Sequence, residues 1–244
     1  MYRRALPLLL TAVLLLSGCA AGQKNMPQKT DEKEMTGQPS DMSGEGSMYM
    51  DTTENVIYLA GGCFWGMEAL YRRLPGVLDV TAGYANGDTA DHANYDDVCT
   101  GRTGFREAVQ VAYEDGTVSL PHLLFVFFAA IDPETPNRQG PDVGSQYQTG
   151  VYWMDPADEG IIRSIAVLEA AAVPFFAVEL KALACFYPAE EFHQRYLEKH
   201  PRGYCHVAPW KLAALPDFPF STKTYTRPAK ELLQTWKEAG EVSF

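Results

Sequence analysis

An α/β (α+β) fold, arranged as a single two-layer sandwich domain with long functional loops, is what this sequence predicts. Two observations predict it. From Val56 onward, short apolar runs of strand character alternate with helix-like segments, and glycine or proline breaks separate them. Some of the connections are long and irregular, and in a compact domain such loops are where function is carried.

The elements follow in order. Val56 to Ala60 is a short apolar run ended by Gly61-Gly62 and reads as a buried strand. Trp65 to Leu74 reads as a helix stopped by Pro75-Gly76, and Val77 to Gly83 as a second strand. Tyr84 to Gly104 is polar and glycine-rich and reads as loop. Glu107 to Tyr113 alternates as a strand does, and Asp115-Gly116 turns the chain. Ser119 ahead of Pro121 suits a helix start, with Leu123 to Ala130 as the body. Ile131 to Thr149 is irregular, and Gly150 to Met154 is a strand candidate. Asp155-Pro156 is expected to open a long helix reaching Ala172, followed by a strand over Phe175 to Leu180. Ala189 to Lys199 reads as a helix ended by Pro201, and a last helix is expected near Pro228 to Ala239.

The chain divides into 1–18, 19–53, 54–210 and 211–244. Arg3 and Arg4 precede the apolar run Ala5 to Leu16, which is too short to span a bilayer comfortably. Leu16-Ser17-Gly18-Cys19 then resembles the lipobox of bacterial lipoproteins, so 1–18 is expected to be a signal peptide and Cys19 to carry a lipid. An ordinary cleaved signal peptide with an incidental cysteine is the alternative. Residues 20–53 have almost no aliphatics and cannot bury enough apolar surface to offset the entropy of ordering them. They are expected to form a disordered tether holding Met26, Met35, Met42, Met48 and Met50. The expected location is extracytoplasmic, at a membrane held through the lipid.

The formal net charge of −11 argues against a nucleic-acid partner. Beyond Cys19 the cysteines are Cys63, Cys99, Cys185 and Cys205, with no C-x-x-C pair, so neither a zinc ribbon nor a thioredoxin-type site is expected. No metal ligand set and no resident cofactor is expected.

The chemistry concentrates at Gly61-Gly62-Cys63-Phe64-Trp65-Gly66, between the first strand and the first helix. Glycines allow a sharp turn and leave space for a ligand. A cysteine at a helix N-terminus meets unpaired N–H groups that favour the thiolate. Phe64 and Trp65 place two aromatic faces beside the sulfur. A tight turn around a buried cysteine is the bland alternative.

Gly-Cys-Phe-Trp-Gly resembles the signature of the A-type peptide methionine sulfoxide reductases. Other stretches match that family in its order, among them Ala82-Gly83-Tyr84, Tyr95 to Gly101, Glu107-Ala108-Val109, Asp142 with Gly144-Ser145-Gln146-Tyr147, Phe186 to Glu190, His193-Gln194 and Gly203-Tyr204-Cys205. The resemblance covers roughly Val56 to Val207. It implies a fold resembling a ferredoxin-like plait, and an enzyme that reduces the S epimer of methionine sulfoxide in peptides and as the free amino acid.

The resemblance also implies roles. Cys63 attacks the sulfoxide sulfur and becomes a sulfenic acid. Glu107 supplies protons to the departing oxygen, which the hydroxyls of Tyr95 and Tyr147 hold. Phe64 and Trp65 surround the substrate methyl group, Asp142 orders the pocket, and Cys205 resolves the sulfenic acid as a disulfide that thioredoxin or a thioredoxin-like dithiol reduces. Strand alternation adds that Phe105 shares the face of Glu107, so that burial raises the carboxyl pKa, while Arg106 points away. Cys99 and Cys185 are expected to be small buried hydrophobes, His193 structural, and Glu68 a partner of the helix dipole. The chain departs from the family's usual residues at Phe105-Arg106, Ile131, Val143 and Gln148-Thr149, and no cysteine follows Cys205. Two readings compete: a thiol peroxidase, and a lipid-anchored module that binds methionine-containing peptides without chemistry.

Overall fold

The computed structural model describes residues 55–240, so the proposed leader, Cys19 and the tether lie outside the described residues. In chain order the described strands and helices are β1 (Asn55–Ala60), α1 (Phe64–Tyr71), β2 (Val77–Ala85), α2 (Tyr95–Cys99), β3 (Arg106–Tyr113), α3 (Leu120–Ala130), β4 (Arg138–Gln139), β5 (Asp142–Val143), β6 (Gly150–Trp153), α4 (Asp158–Ala170), β7 (Glu179–Ala182), β8 (Phe186–Pro188), α5 (Tyr196–Lys199), α6 (Pro209–Ala214) and α7 (Ala229–Glu238). The fold is mixed α/β around one six-stranded sheet ordered β7-β6-β1-β3-β2-β8. Its neighbours are antiparallel except β6 and β7, which run parallel. β4 and β5 form a separate two-stranded ribbon.

Alternation along the central strands builds the core. Ile57, Leu59, Val109 and Val111 are fully buried on one face, in the same apolar cluster as α1 and α3. α1 packs on β2 and β3, and α4 on β6. α3 is apolar on every side because α4 and α7 both pack against it. The other sheet face carries a smaller cluster of Tyr58, Ala60, Ala85, Ala108 and Tyr152, with Phe186 against Tyr58.

The C-terminal residues are built onto this core. Glu169 of α4 accepts hydrogen bonds from the Tyr225 hydroxyl at 2.7 Å and from the backbone N–H of Ala229 at 2.8 Å. The carboxylate thereby satisfies an otherwise unpaired donor at the start of α7. Phe218, Phe220 and Tyr225 pack on Phe125 of α3.

Several boundaries differ from the sequence reading, each for a local reason. α1 ends at Tyr71 rather than Leu74, because Arg73 and Leu74 bond to carbonyls three residues back and Pro75 disfavours a helical residue before it. α4 starts at Asp158, because the Asp155 side chain takes the N–H of Ala157 and makes a turn first. β7 lies at Glu179–Ala182 instead of Phe175–Leu180, since Ala177 bonds to Pro133 in the adjoining loop. α2 occupies part of the expected loop, capped by the Asn94 side chain on the N–H of Asp97. The helix expected over Ala189–Lys199 is only the four-residue α5.

Candidate active site

Cys63 is the residue that ends the β1 turn and caps α1, and it is almost wholly buried. Two glycines make its placement possible. Gly62 has φ +87°, and a β-carbon there would lie 2.6 Å from Gln139. Gly66, one turn into the helix, leaves room for the 205–207 segment: a β-carbon there would lie 3.1 Å from Cys205 Sγ. The Cys205 thiol is half-buried against the start of α1 and donates to the carbonyl of Val207 at 3.3 Å. The four described cysteines are free thiols.

Glu107 comes from β3, opposite Tyr84 of β2. It is 2% exposed, and its Oε2 accepts the N–H of Phe64 at 3.1 Å. Burial, with Asp142 nearby, pushes its carboxyl up to about 8 against the lowering effect of that hydrogen bond. Phe105 is buried as well, whereas Arg106 belongs to the other face and pairs with Glu179 at 3.0 Å. The alternation inferred for these residues therefore holds.

The thiol itself departs from expectation. The N–H of Trp65 does favour the Cys63 thiolate, but burial, then the Glu107 charge, push the thiol well above its ordinary value. Desolvation outweighs the helix N-terminus here, so the resting sulfur is a protonated thiol.

Both tyrosines named from the sequence reach this centre. Burial raises both hydroxyls, Tyr95 next through the neighbouring Cys99 and Tyr147 next through Glu107, so both phenols stay neutral. Asp142, on β5, acts on Cys63, Glu107 and Tyr147 alike. Its Oδ2 is buried without a partner, and its carboxylate, after burial, raises the Tyr204 hydroxyl. Phe64 is buried, and Trp65 is half-buried with its ring stacked on Tyr196 at 3.7 Å.

A strap over 190–195 holds these elements together, and the sequence reading missed it. Glu190 accepts from the Tyr84 hydroxyl and from the Tyr95 N–H, both at 2.8 Å. Gln194 bonds both backbone groups of Ala82. Glu68, read as a dipole partner, is instead buried and accepts the N–H of Arg195 at 2.7 Å, where the backbone is left-handed at φ +51°. The His193 and Gln194 N–H groups make three-residue turn bonds to Glu190 and Glu191, and the left-handed Arg195 gives its N–H to Glu68, so the helical ladder is interrupted before α5. The one signal available was the run of polar residues Glu190, His193 and Gln194 inside an apolar-flanked segment. Cys99, expected to be buried, is exposed at the end of α2, where its thiol meets the Tyr95 hydroxyl. Cys185 is half-buried near the carbonyl of Gly87.

A protonated carboxyl, two neutral phenols and two thiols around an aromatic wall make a site for thiol-based reduction of a small polar group carrying an apolar end. The comparisons with known proteins agree with that class. The family model described as peptide methionine sulfoxide reductase matches residues 55–215. A peptide methionine sulfoxide reductase MsrA of Clostridium perfringens is 47% identical over 152 residues, spanning 62% of this chain and 96% of its own. One from Lachnoclostridium phytofermentans is 45% identical over 153 residues, spanning 62% and 92%. Among solved structures, reduced Mxr1 from Saccharomyces cerevisiae matches with TM-score 0.60 and 37% identity, covering 64% of this chain and 91% of that one. Methionine sulfoxide reductase A of Corynebacterium diphtheriae matches with TM-score 0.57 and 34% identity, covering 66% and 81%. The chain belongs to the peptide methionine sulfoxide reductase family and is an oxidoreductase that reduces methionine sulfoxide.

Proposed function

We propose that the chain reduces methionine S-sulfoxide through a sulfenic acid on Cys63 that Cys205 resolves. The observation carrying this is the buried grouping of the Cys63 thiol with a Glu107 carboxyl whose pKa lies at about 8. In the first step the Cys63 sulfur attacks the sulfoxide sulfur, and the sulfoxide oxygen ends on Cys63. The substrate sulfur gains two electrons and leaves as methionine, while Cys63 becomes the sulfenic acid. The oxygen needs a proton as its bond to sulfur breaks, and Glu107 supplies it while the hydroxyls of Tyr95 and Tyr147 donate hydrogen bonds to the same oxygen. The Cys63 thiol gives up its proton as its sulfur bonds, and that proton replaces the one Glu107 has donated, so the carboxyl ends the step protonated; the backbone N–H of Trp65 supports the thiolate. Phe64 and Trp65 wall the S-methyl group, since sulfur and methyl groups pack favourably on aromatic faces. In the second step Cys205 condenses with the sulfenic acid, releasing water and forming a disulfide. A thioredoxin-like dithiol then reduces that disulfide, so no resident cofactor is needed.

The pocket is chiral, and oxygen and methyl exchange places between the two sulfoxide epimers. Only one epimer puts oxygen on the Glu107 side and methyl on the Trp65 side. The S epimer is expected to be reduced and the R epimer left intact, measured by chromatography of methionine formed from each pure epimer with dithiothreitol as reductant. Comparable turnover of both would overturn the pocket assignment, and no methionine from either would overturn the reaction.

The basic-apolar-small order ending at Cys19 supports a lipid anchor and an extracytoplasmic place of work, where the enzyme repairs oxidised envelope proteins. The five tether methionines then serve as an oxidant sink that the attached domain restores at high effective concentration. After oxidant treatment and recovery with dithiol, mass spectra are expected to show these methionines restored in wild type and still oxidised in Cys63→Ser, with a lipid mass on Cys19. Equal oxidation in both proteins would remove the sink, and an unmodified Cys19 the anchor.

A further inference from the structure

His193 is 1% exposed, yet its ring nitrogens do unequal work. Nδ1 accepts the indole N–H of Trp65 at 3.0 Å. Nε2 is buried and has no hydrogen-bond partner. An acceptor at Nδ1 requires the neutral ring with its hydrogen on Nε2. This tautomer leaves one buried donor unpaired in order to supply one acceptor, an arrangement that is unfavourable in an ordinary core and calls for a reason.

The reason lies in what each neighbour fixes. Trp65 stacks on Tyr196 with the ring planes 12° apart. Stacking sets the plane of the indole but leaves it free to slide and turn within that plane. The bond from Nε1–H to His193 removes that freedom. The His193 ring also lies 5.0 Å from Phe64 and 4.6 Å from Tyr95, so one side chain abuts the two aromatic walls and a phenol of the substrate pocket. Burial holds its pKa below the usual imidazole value, which keeps the acceptor available.

We infer that His193 is a positioning residue for substrate binding, setting the indole of Trp65 against the S-methyl group through its unprotonated Nδ1. This rests on the reading of Phe64 and Trp65 as the methyl wall. The role belongs to recognition rather than to bond breaking, so it predicts weakened binding with the chemical step preserved.

The test is single-turnover reduction of a peptide S-sulfoxide by the fully reduced enzyme, which separates the half-saturating concentration from the plateau rate. His193→Phe keeps an aromatic ring but strands the indole N–H, and is expected to raise the half-saturating concentration about tenfold with a plateau rate within about twofold of wild type. His193→Asn can present its side-chain carbonyl where Nδ1 stood, and is expected to recover binding to within about threefold. In a Trp65→Phe background, where no indole N–H remains, His193→Phe is expected to add nothing further. If Trp65→Phe alone leaves the half-saturating concentration unchanged, the methyl-wall reading falls. If Trp65→Phe raises it but His193→Phe does not, the inference about His193 is overturned. It is equally overturned if His193→Asn binds as poorly as His193→Phe, or if His193→Phe keeps its full effect without the indole.

Discussion

Glu107→Gln is expected to slow the reduction step by about 10²- to 10⁴-fold, the range over which a positioned general acid acts. The substitution isolates the proton. Glutamine still offers a carbonyl oxygen to the Phe64 N–H that Glu107 Oε2 accepts at 3.1 Å, so the local hydrogen bond survives. What it lacks is an acidic hydrogen. The pH dependence follows with a definite sign. Burial raises the carboxyl to about 8, so the form that can donate is dominant near neutrality and is lost as pH rises through that value. An ionised Glu107 also opposes the Cys63 thiolate, which offsets the thiolate that rising pH would otherwise favour. The single-turnover rate is therefore expected to fall above pH about 8 in wild type, and this limb is expected to vanish in Glu107→Gln. Arg106→Ala, one residue away but bonded to Glu179 across the sheet, is expected to leave the rate nearly unchanged. A larger loss in Arg106→Ala than in Glu107→Gln would refute the assignment of faces on β3.

The two neighbours Arg106 and Glu107 show what was legible in the sequence. A strand has a period of two, so the sequence alone separates the residue that faces the thiol from the one that faces Glu179. The central elements were legible for the same reason: β1, β2, β3 and β6 lie within a few residues of where apolar alternation and glycine breaks place them. The site was legible where it is local, at Cys63 with its flanking glycines and aromatics. It was not legible where it depends on side chains meeting over long separations. Glu190 meets Tyr84 and Tyr95 from about a hundred positions away, and His193 meets Trp65 from 128. Spacing within 189–199 suggests a helix, and it is the left-handed backbone at Arg195, whose N–H goes to Glu68, that breaks it, while the side chains of His193 and Gln194 tie the strap to Trp65 and Ala82. The thiol pKa was misread for a related reason. A helix N-terminus can be read from a motif, but the burial that outweighs it belongs to the assembled core.

Cys205→Ser is expected to reduce about one equivalent of sulfoxide per enzyme and then stop when only a thioredoxin-like protein is supplied. Serine keeps a donor for the Val207 carbonyl that the thiol meets at 3.3 Å, so the 205–207 segment should stay seated against Gly66. The loss is then of sulfur chemistry and not of packing. The Cys205 thiol lies beside the first turn of α1, where Gly66 leaves it space, and it acts electrostatically on Cys63. A disulfide requires the two Cα atoms within roughly 7 Å, so the resolving step has to bring the 205–207 segment to Cys63 once methionine has left. Cys99 is a poor substitute, since its thiol sits against the Tyr95 hydroxyl at the end of α2, and Cys185 lies by Gly87 on the edge of the sheet. Small thiols such as dithiothreitol need no protein partner surface and attack the sulfenic acid directly, so they are expected to restore part of the turnover. Trapping with a sulfenic-acid reagent after one turnover should label Cys63 in Cys205→Ser and not in wild type, where the peptide map should join Cys63 to Cys205. Full thioredoxin-supported turnover in Cys205→Ser would rule the role out, as would a map of oxidised wild type in which Cys205 is joined to Cys99 or Cys185 and never to Cys63.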